Sequence, residues 1–199
     1  MSAIDSLRVA AAAAERHAEL AEFFAGWHEF YLLAGTAAVT LVGLLFVSLS
    51  FNLDVLLHES KAHLLAHARS TLMVFTYVLV VSLGFLVPFQ GLRVLAAMVG
   101  TASAVFGMLH VISSRTPAGL RLDEFERSMR RRGRIYTVCY AFAFLTAVAI
   151  GVLHVPELAF NMISVICALL GNAMGISWSL LVEVGKLKAR MAGEAAGRK

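Results

Sequence analysis

Residues 158–182 read LAFNMISVICALLGNAMGISWSLLV, twenty-five positions without a single Asp, Glu, Lys or Arg. As a helix this stretch rises about 37 Å, more than the roughly 30 Å of a bilayer's hydrocarbon layer. Four further uncharged runs, 30–53, 70–92, 94–114 and 135–156, have the same character. In lipid every backbone amide must bond within its own segment, so runs of 21 to 25 residues read as helices. Barrel strands would be about ten residues of alternating polarity. The expected fold is an all-α, polytopic membrane bundle with five transmembrane helices over 30–184. An amphipathic helix over 1–29 precedes it, helical connections cover 54–69 and 115–134, and a basic tail occupies 185–199.

Composition agrees. The 199-residue chain is 59% hydrophobic and 15% charged, with a mean hydropathy of +0.78. An ordinary soluble domain is nearer half apolar and a quarter charged, so disorder and a disulfide scaffold are excluded. The formal charge of +4 is the kind of basic excess that faces anionic lipid rather than nucleic acid.

Two connections are very short: Pro88-Phe89-Gln90-Gly91 and His154-Val155-Pro156-Glu157. Each predicts a tight antiparallel hairpin, with both turns on one side. Alternate compartments then hold fourteen basic residues on one side, seven of them between Arg115 and Arg134, against Arg8, Arg16 and Arg93 on the other. The positive-inside rule puts the N-terminus and both turns outside and the C-terminus in the cytoplasm, in a bacterial cytoplasmic membrane. The first 25 residues carry charges every few positions and no apolar signal-peptide core. Cys139 and Cys167 fall at depths about 12 Å apart, beyond the roughly 7 Å a disulfide tolerates, so two buried thiols are expected.

Small residues mark the helix-association candidates. Gly171-Asn172-Ala173-Met174-Gly175 is a GxxxG in an apolar run, where missing side chains let another helix approach closely. Ala96, Gly100, Ser103, Gly107 and His110 advance by four and three residues and share one helical face. Packing within the bundle is the ordinary use of such seams, and packing between subunits the functional one. Asn172 is the deepest strongly polar side chain, read either as an interhelical clamp or as a ligand at the midplane. Thr36, Thr40, Gly43, Val47 and Ser50 form a weakly polar stripe along the first span. Thr36, Thr40 and Ser50 are candidates for lining a pore, the alternative being that the stripe packs the first span on the bundle with each hydroxyl returned to its own i−4 carbonyl.

Outside the spans, Glu15, Glu19, Glu22 and Glu29 oppose Leu20, Phe23, Phe24 and Trp27 on an amphipathic helix. In an oligomer these carboxylates would ring an entrance; in a monomer they are a solvated face. Glu59, His63 and His67 are spaced i, i+4, i+8 and are the best metal candidates, yet a solvated ridge accounts for them and no metal is expected. His58 and His63 are five apart and point in different directions, which is no zincin motif. Arg130, Arg131, Arg132 and Arg134 precede the fourth span and are placed to hold anionic headgroups at the cytoplasmic face.

No Walker A sequence, dinucleotide fingerprint, GxSxG elbow or CxxC occurs, and no charged side chain lies at mid-membrane depth. Neither a catalytic residue nor a cofactor is therefore expected. The leading reading is a non-enzymatic, self-associating membrane protein, a homo-oligomer with a passive pore at subunit contacts. An accessory component of a larger membrane complex is the alternative, and a metal-dependent membrane enzyme built on His63 and His67 comes third. The lipid bilayer is the expected partner, and nucleic acid is not.

Overall fold

The computed structural model describes residues 25–51, 62–87, 91–114 and 124–196, together with scattered positions between 5 and 22. Five long helices make up the bundle: α1 (His28–Phe51), α2 (Ala62–Leu86), α3 (Leu92–Ser114), α4 (Glu124–Leu153) and α5 (Phe160–Ala196). A short 3-10 turn, Pro156–Ala159, joins α4 to α5. No strand occurs among the described residues. Each long helix contains a membrane span: His28–Phe51, His67–Leu86, Leu92–Ser113, Gly133–Leu153 and Pro156–Lys186. The chain is an integral membrane protein of the five-helix, all-α class.

The helices on either side run into the two connections drawn from sequence, whose remaining residues, 54–61 and 115–123, lie outside the described residues. α2 already begins at Ala62, so the second half of 54–69 is its first two turns. α4 begins at Glu124 and continues without a break to Leu153, so the charged run before the fourth span extends that helix rather than forming a separate one. Backbone hydrogen bonds propagate more readily than they nucleate, and no Gly or Pro pair interrupts 124–132.

α2 is the hub, packing on α1, α3 and α5, while α1 touches mainly α2. The share of each span buried inside the bundle follows, at 44% for α2 and 22% for α1. Thr71, Val74, Phe75, Tyr77, Val78, Val81 and Ser82 of α2 are all buried, a face about 160° wide. α1 buries one narrow stripe instead, Tyr31, Ala34, Gly35, Ala38 and Leu45. A Cβ built on Gly35 would lie 3.2 Å from that of Ser82, so the absent side chain is what brings the two backbones together.

α3 and α4 make the most extensive contact. Its register is legible in three pairs: Ala96 opposes Gly151, Gly100 opposes Ala147 and Gly107 opposes Tyr140, with Cβ separations of 3.6, 3.5 and 3.2 Å. Every step forward on α3 is matched by an equal step back on α4, the signature of two straight antiparallel helices.

The α2–α3 and α4–α5 turns lie at one end of the bundle, since Arg93 after the first reaches His154 in the second. Trp27 stands at this turn end, edge to face with Phe160 at 5.3 Å, and Tyr31 stacks on Phe85. At the opposite, basic end Arg69, Arg131, Arg134, Lys186 and Lys188 are exposed. Trp178, 69% exposed, sits about 27 Å along α5 from Phe160, so a tryptophan marks each interfacial level. In the N-terminal segment the described positions, Glu15, Glu19 and Glu22 among them, are helical and exposed; Leu20, Phe23 and Phe24 lie outside the described residues.

Candidate functional site

Polar side chains gather between α2, α3 and α4. His110, 4% exposed, has Nδ1 3.1 Å from the Ser70 hydroxyl and Nε2 3.0 Å from the Gly133 carbonyl. A carbonyl only accepts, so Nε2 carries the proton and Nδ1 accepts from Ser70. One neutral imidazole thus ties three helices together near the basic end. Deeper in the membrane the Ser103 hydroxyl donates to the Val99 carbonyl at 2.7 Å, and Tyr77 donates to Ser103 at 2.9 Å. Aromatic edges connect the two groups: His110 meets Tyr136 at 5.5 Å, and Tyr140 meets Tyr77 at 4.9 Å. The result is a column of Ser70, His110, Tyr136, Tyr140, Tyr77 and Ser103, uncharged throughout. It supplies neutral hydrogen-bonding groups to the helix contacts and fills the centre of the bundle with rings.

The helix-association candidates divide. Gly100, Ser103 and Gly107 are spent inside the chain, facing Ala147, Tyr77 and Tyr140 respectively. The α3 seam is therefore an internal one. On α5 the arrangement is opposite: Gly171 is exposed, and a Cβ placed there would meet nothing within 4 Å. Ser164 and Ala168 continue this outward small-residue face toward the turn end, while Asn172 and Gly175 sit half-buried at its margin. The Gly175 carbonyl accepts a 2.8 Å hydrogen bond from Ser179.

Thr36, Thr40, Gly43, Val47 and Ser50 are all exposed and point away from the bundle. Their hydroxyls return to the i−4 carbonyls: Thr36 to Leu32 at 2.8 Å, Thr40 to Thr36 and Ser50 to Phe46, each at 2.9 Å. Of the two uses considered for this stripe, lining an internal path fails for the single chain, and packing α1 on the bundle fails too. The packing stripe is the opposite one, through Ala34, Gly35 and Ala38.

Glu59 and the His63 side chain lie outside the described residues, while the carbonyl of His67 accepts from Thr71 at 3.0 Å. Among the described residues no three His, Cys, Asp or Glu side chains converge. Arg131 and Arg134 are exposed at the basic end, and the side chains of Arg130 and Arg132 lie outside the described residues. Cys139 is buried and Cys167 exposed, both as free thiols. The expectation of two buried thiols is corrected for Cys167, which faces outward from α5 beside Ala168.

Sequence reasoning missed the tyrosine column and the contact between the two turns. The available signal was tyrosine at mid-span, at 77 and 140, where a hydroxyl has no water and only another protein group can satisfy it. Comparison of the chain with family models, with curated proteins and with solved structures finds no match.

Proposed function

We propose that this is a self-associating, non-enzymatic integral membrane protein whose copies meet through the outward face of α5. The observation that carries the reading is Gly171, exposed within the span with no atom near the place of a Cβ. Lipid tails give two helices no hydrophobic reason to associate, so small faces are used where a second backbone can approach and gain van der Waals contact. The Thr36, Thr40 and Ser50 stripe of α1 is a second outward face. In a ring of copies it would line a passive pore between subunits, because the centre of each bundle is filled by Tyr77, Tyr136 and Tyr140.

The same reading places the basic end in the cytoplasm of a bacterial cell, where Arg130, Arg131, Arg132 and Arg134 hold anionic headgroups. The test is the native mass of the protein in nanodiscs. A symmetric oligomer that Gly171→Leu reduces to a smaller particle, with unchanged expression, supports the proposal. A monomeric wild-type particle overturns it and favours an accessory role on a different membrane partner.

A further inference from the structure

We propose that Arg93 and His154 form a proton-sensitive staple across the turn end of the bundle, holding the α2–α3 turn to the α4–α5 turn at neutral pH and releasing it in acid. Arg93 Nε donates to His154 Nε2 at 3.1 Å, between residues 61 apart in sequence. A guanidinium has donors only, so Nε2 must present its lone pair. The ring's single proton then resides on Nδ1, which donates to the Val152 carbonyl at 3.1 Å. Both nitrogens are committed, and the contact exists only while the imidazole is neutral. Protonation places an N–H and a positive charge directly against the guanidinium, turning an attraction into a repulsion.

The backbone at His154 makes the contact structurally consequential. His154 closes α4 with a 3.0 Å hydrogen bond to Ile150 and has φ 56°, the left-handed conformation in which a helix end usually carries glycine. With a Cβ present this conformation is disfavoured, and the two side-chain hydrogen bonds help to hold it. Val155 follows in extended backbone, φ −99° and ψ 102°, as its position before Pro156 requires. From there the 3-10 turn leads directly to Phe160, which packs on Trp27. Releasing His154 therefore frees the turn that seats the start of α5 against the base of α1. The other described ionisable groups at this end are His28, Glu29 and the buried Tyr31 near the start of α1, Glu157 in the 3-10 turn, and Arg8 with the exposed carboxylates of the N-terminal segment; residues 83–87 of α2 and 160–163 of α5 carry none.

The experiment is a double-mutant cycle on the full-length protein in nanodiscs, read as thermal midpoint at pH 8 and pH 5. Arg93→Met removes the donors and keeps the length. His154→Asn shortens the side chain beyond reach and keeps a residue that accepts the left-handed backbone. At pH 8, Arg93→Met should lower the midpoint by about 2–4 °C, and should have little effect in the His154→Asn background. At pH 5 it should leave the midpoint unchanged or raise it. His154→Gln offers Arg93 a carboxamide oxygen that does not titrate, so the Arg93→Met effect in that background should be the same at both pH values. Equal Arg93→Met effects at pH 5 and pH 8 in the wild-type background overturn the staple. So does a pH dependence that survives His154→Gln, which would assign the titration to Glu157 or His28.

Discussion

Tyr77 and Tyr140 meet edge to face in the middle of the bundle, 4.9 Å between ring centres and 89° between planes, and only one of the two hydroxyls is hydrogen-bonded. Tyr77 donates to Ser103, whereas the Tyr140 hydroxyl is buried with no hydrogen-bond partner among the described residues. Two chemically identical side chains in one cluster therefore differ in what their hydroxyls contribute. The packing of each ring is favourable, and the balance is decided at the oxygen.

Removing the two oxygens should separate these contributions. Tyr77→Phe loses a hydrogen bond and should destabilise by about 0.6–1.5 kcal/mol. Tyr140→Phe removes a desolvated hydroxyl and should be neutral or stabilising by up to about 1 kcal/mol. Ser103→Ala should be worse than Tyr77→Phe, because it leaves the Tyr77 hydroxyl buried and unpaired, while Ser103 keeps the Val99 carbonyl when Tyr77 is truncated. Denaturant unfolding in detergent micelles measures all three, and equal effects of the two Tyr→Phe changes would contradict the hydrogen-bond assignment.

Glycines of the α3 seam should respond to alanine according to what stands opposite. At Gly100 a Cβ would be 3.5 Å from that of Ala147, an ordinary contact, so Gly100→Ala should be tolerated and can stabilise by up to about 1 kcal/mol through helix propensity. At Gly107 the opposing atom is the Tyr140 Cβ at 3.2 Å, fixed to the α4 backbone, so the two helices must part. A loss of about 1–3 kcal/mol is expected there. The same unfolding assay decides, and Gly107→Ala at wild-type stability would mean that α3 and α4 can separate freely.

The two thiols should differ in access. Cys167 is exposed and Cys139 buried, so limiting N-ethylmaleimide in detergent should modify one thiol per folded chain and both after denaturation. Peptide mapping should locate the first label at Cys167. Early labelling of Cys139 would show that the bundle core around α4 opens on the timescale of the reaction.

Orientation is tested by reporter fusions. Fusions at Gly119 and after Gly193, both toward the basic end, should read cytoplasmic, and a fusion after Gln90, in the α2–α3 turn, should read external. The reverse pattern would place the Arg130 to Arg134 cluster outside the cell and remove its proposed headgroup partners.

The number and approximate limits of the spans follow from sequence alone, because a membrane core excludes charge over a fixed thickness. An uncharged run such as 158–182 has few alternatives to crossing it. The antiparallel turns are equally local, set by Pro88 to Gly91 and by His154 to Glu157. Which face of each helix turns inward was not legible, and here tertiary structure decided. In a soluble helix the polar face marks the outside, but in lipid both faces are apolar, and small residues serve inside and outside alike. The spacing of Gly100, Ser103 and Gly107 resembles that of Thr36, Thr40 and Gly43, yet the first set packs on α4 and α2 and the second points away from the bundle. The column through His110, Tyr140 and Tyr77 also draws on three helices, and the Arg93–His154 contact spans 61 residues. Periodicity reports on residues a few positions apart along one helix. Partners brought together from separate helices depend on how the bundle packs, which no single stretch of sequence encodes.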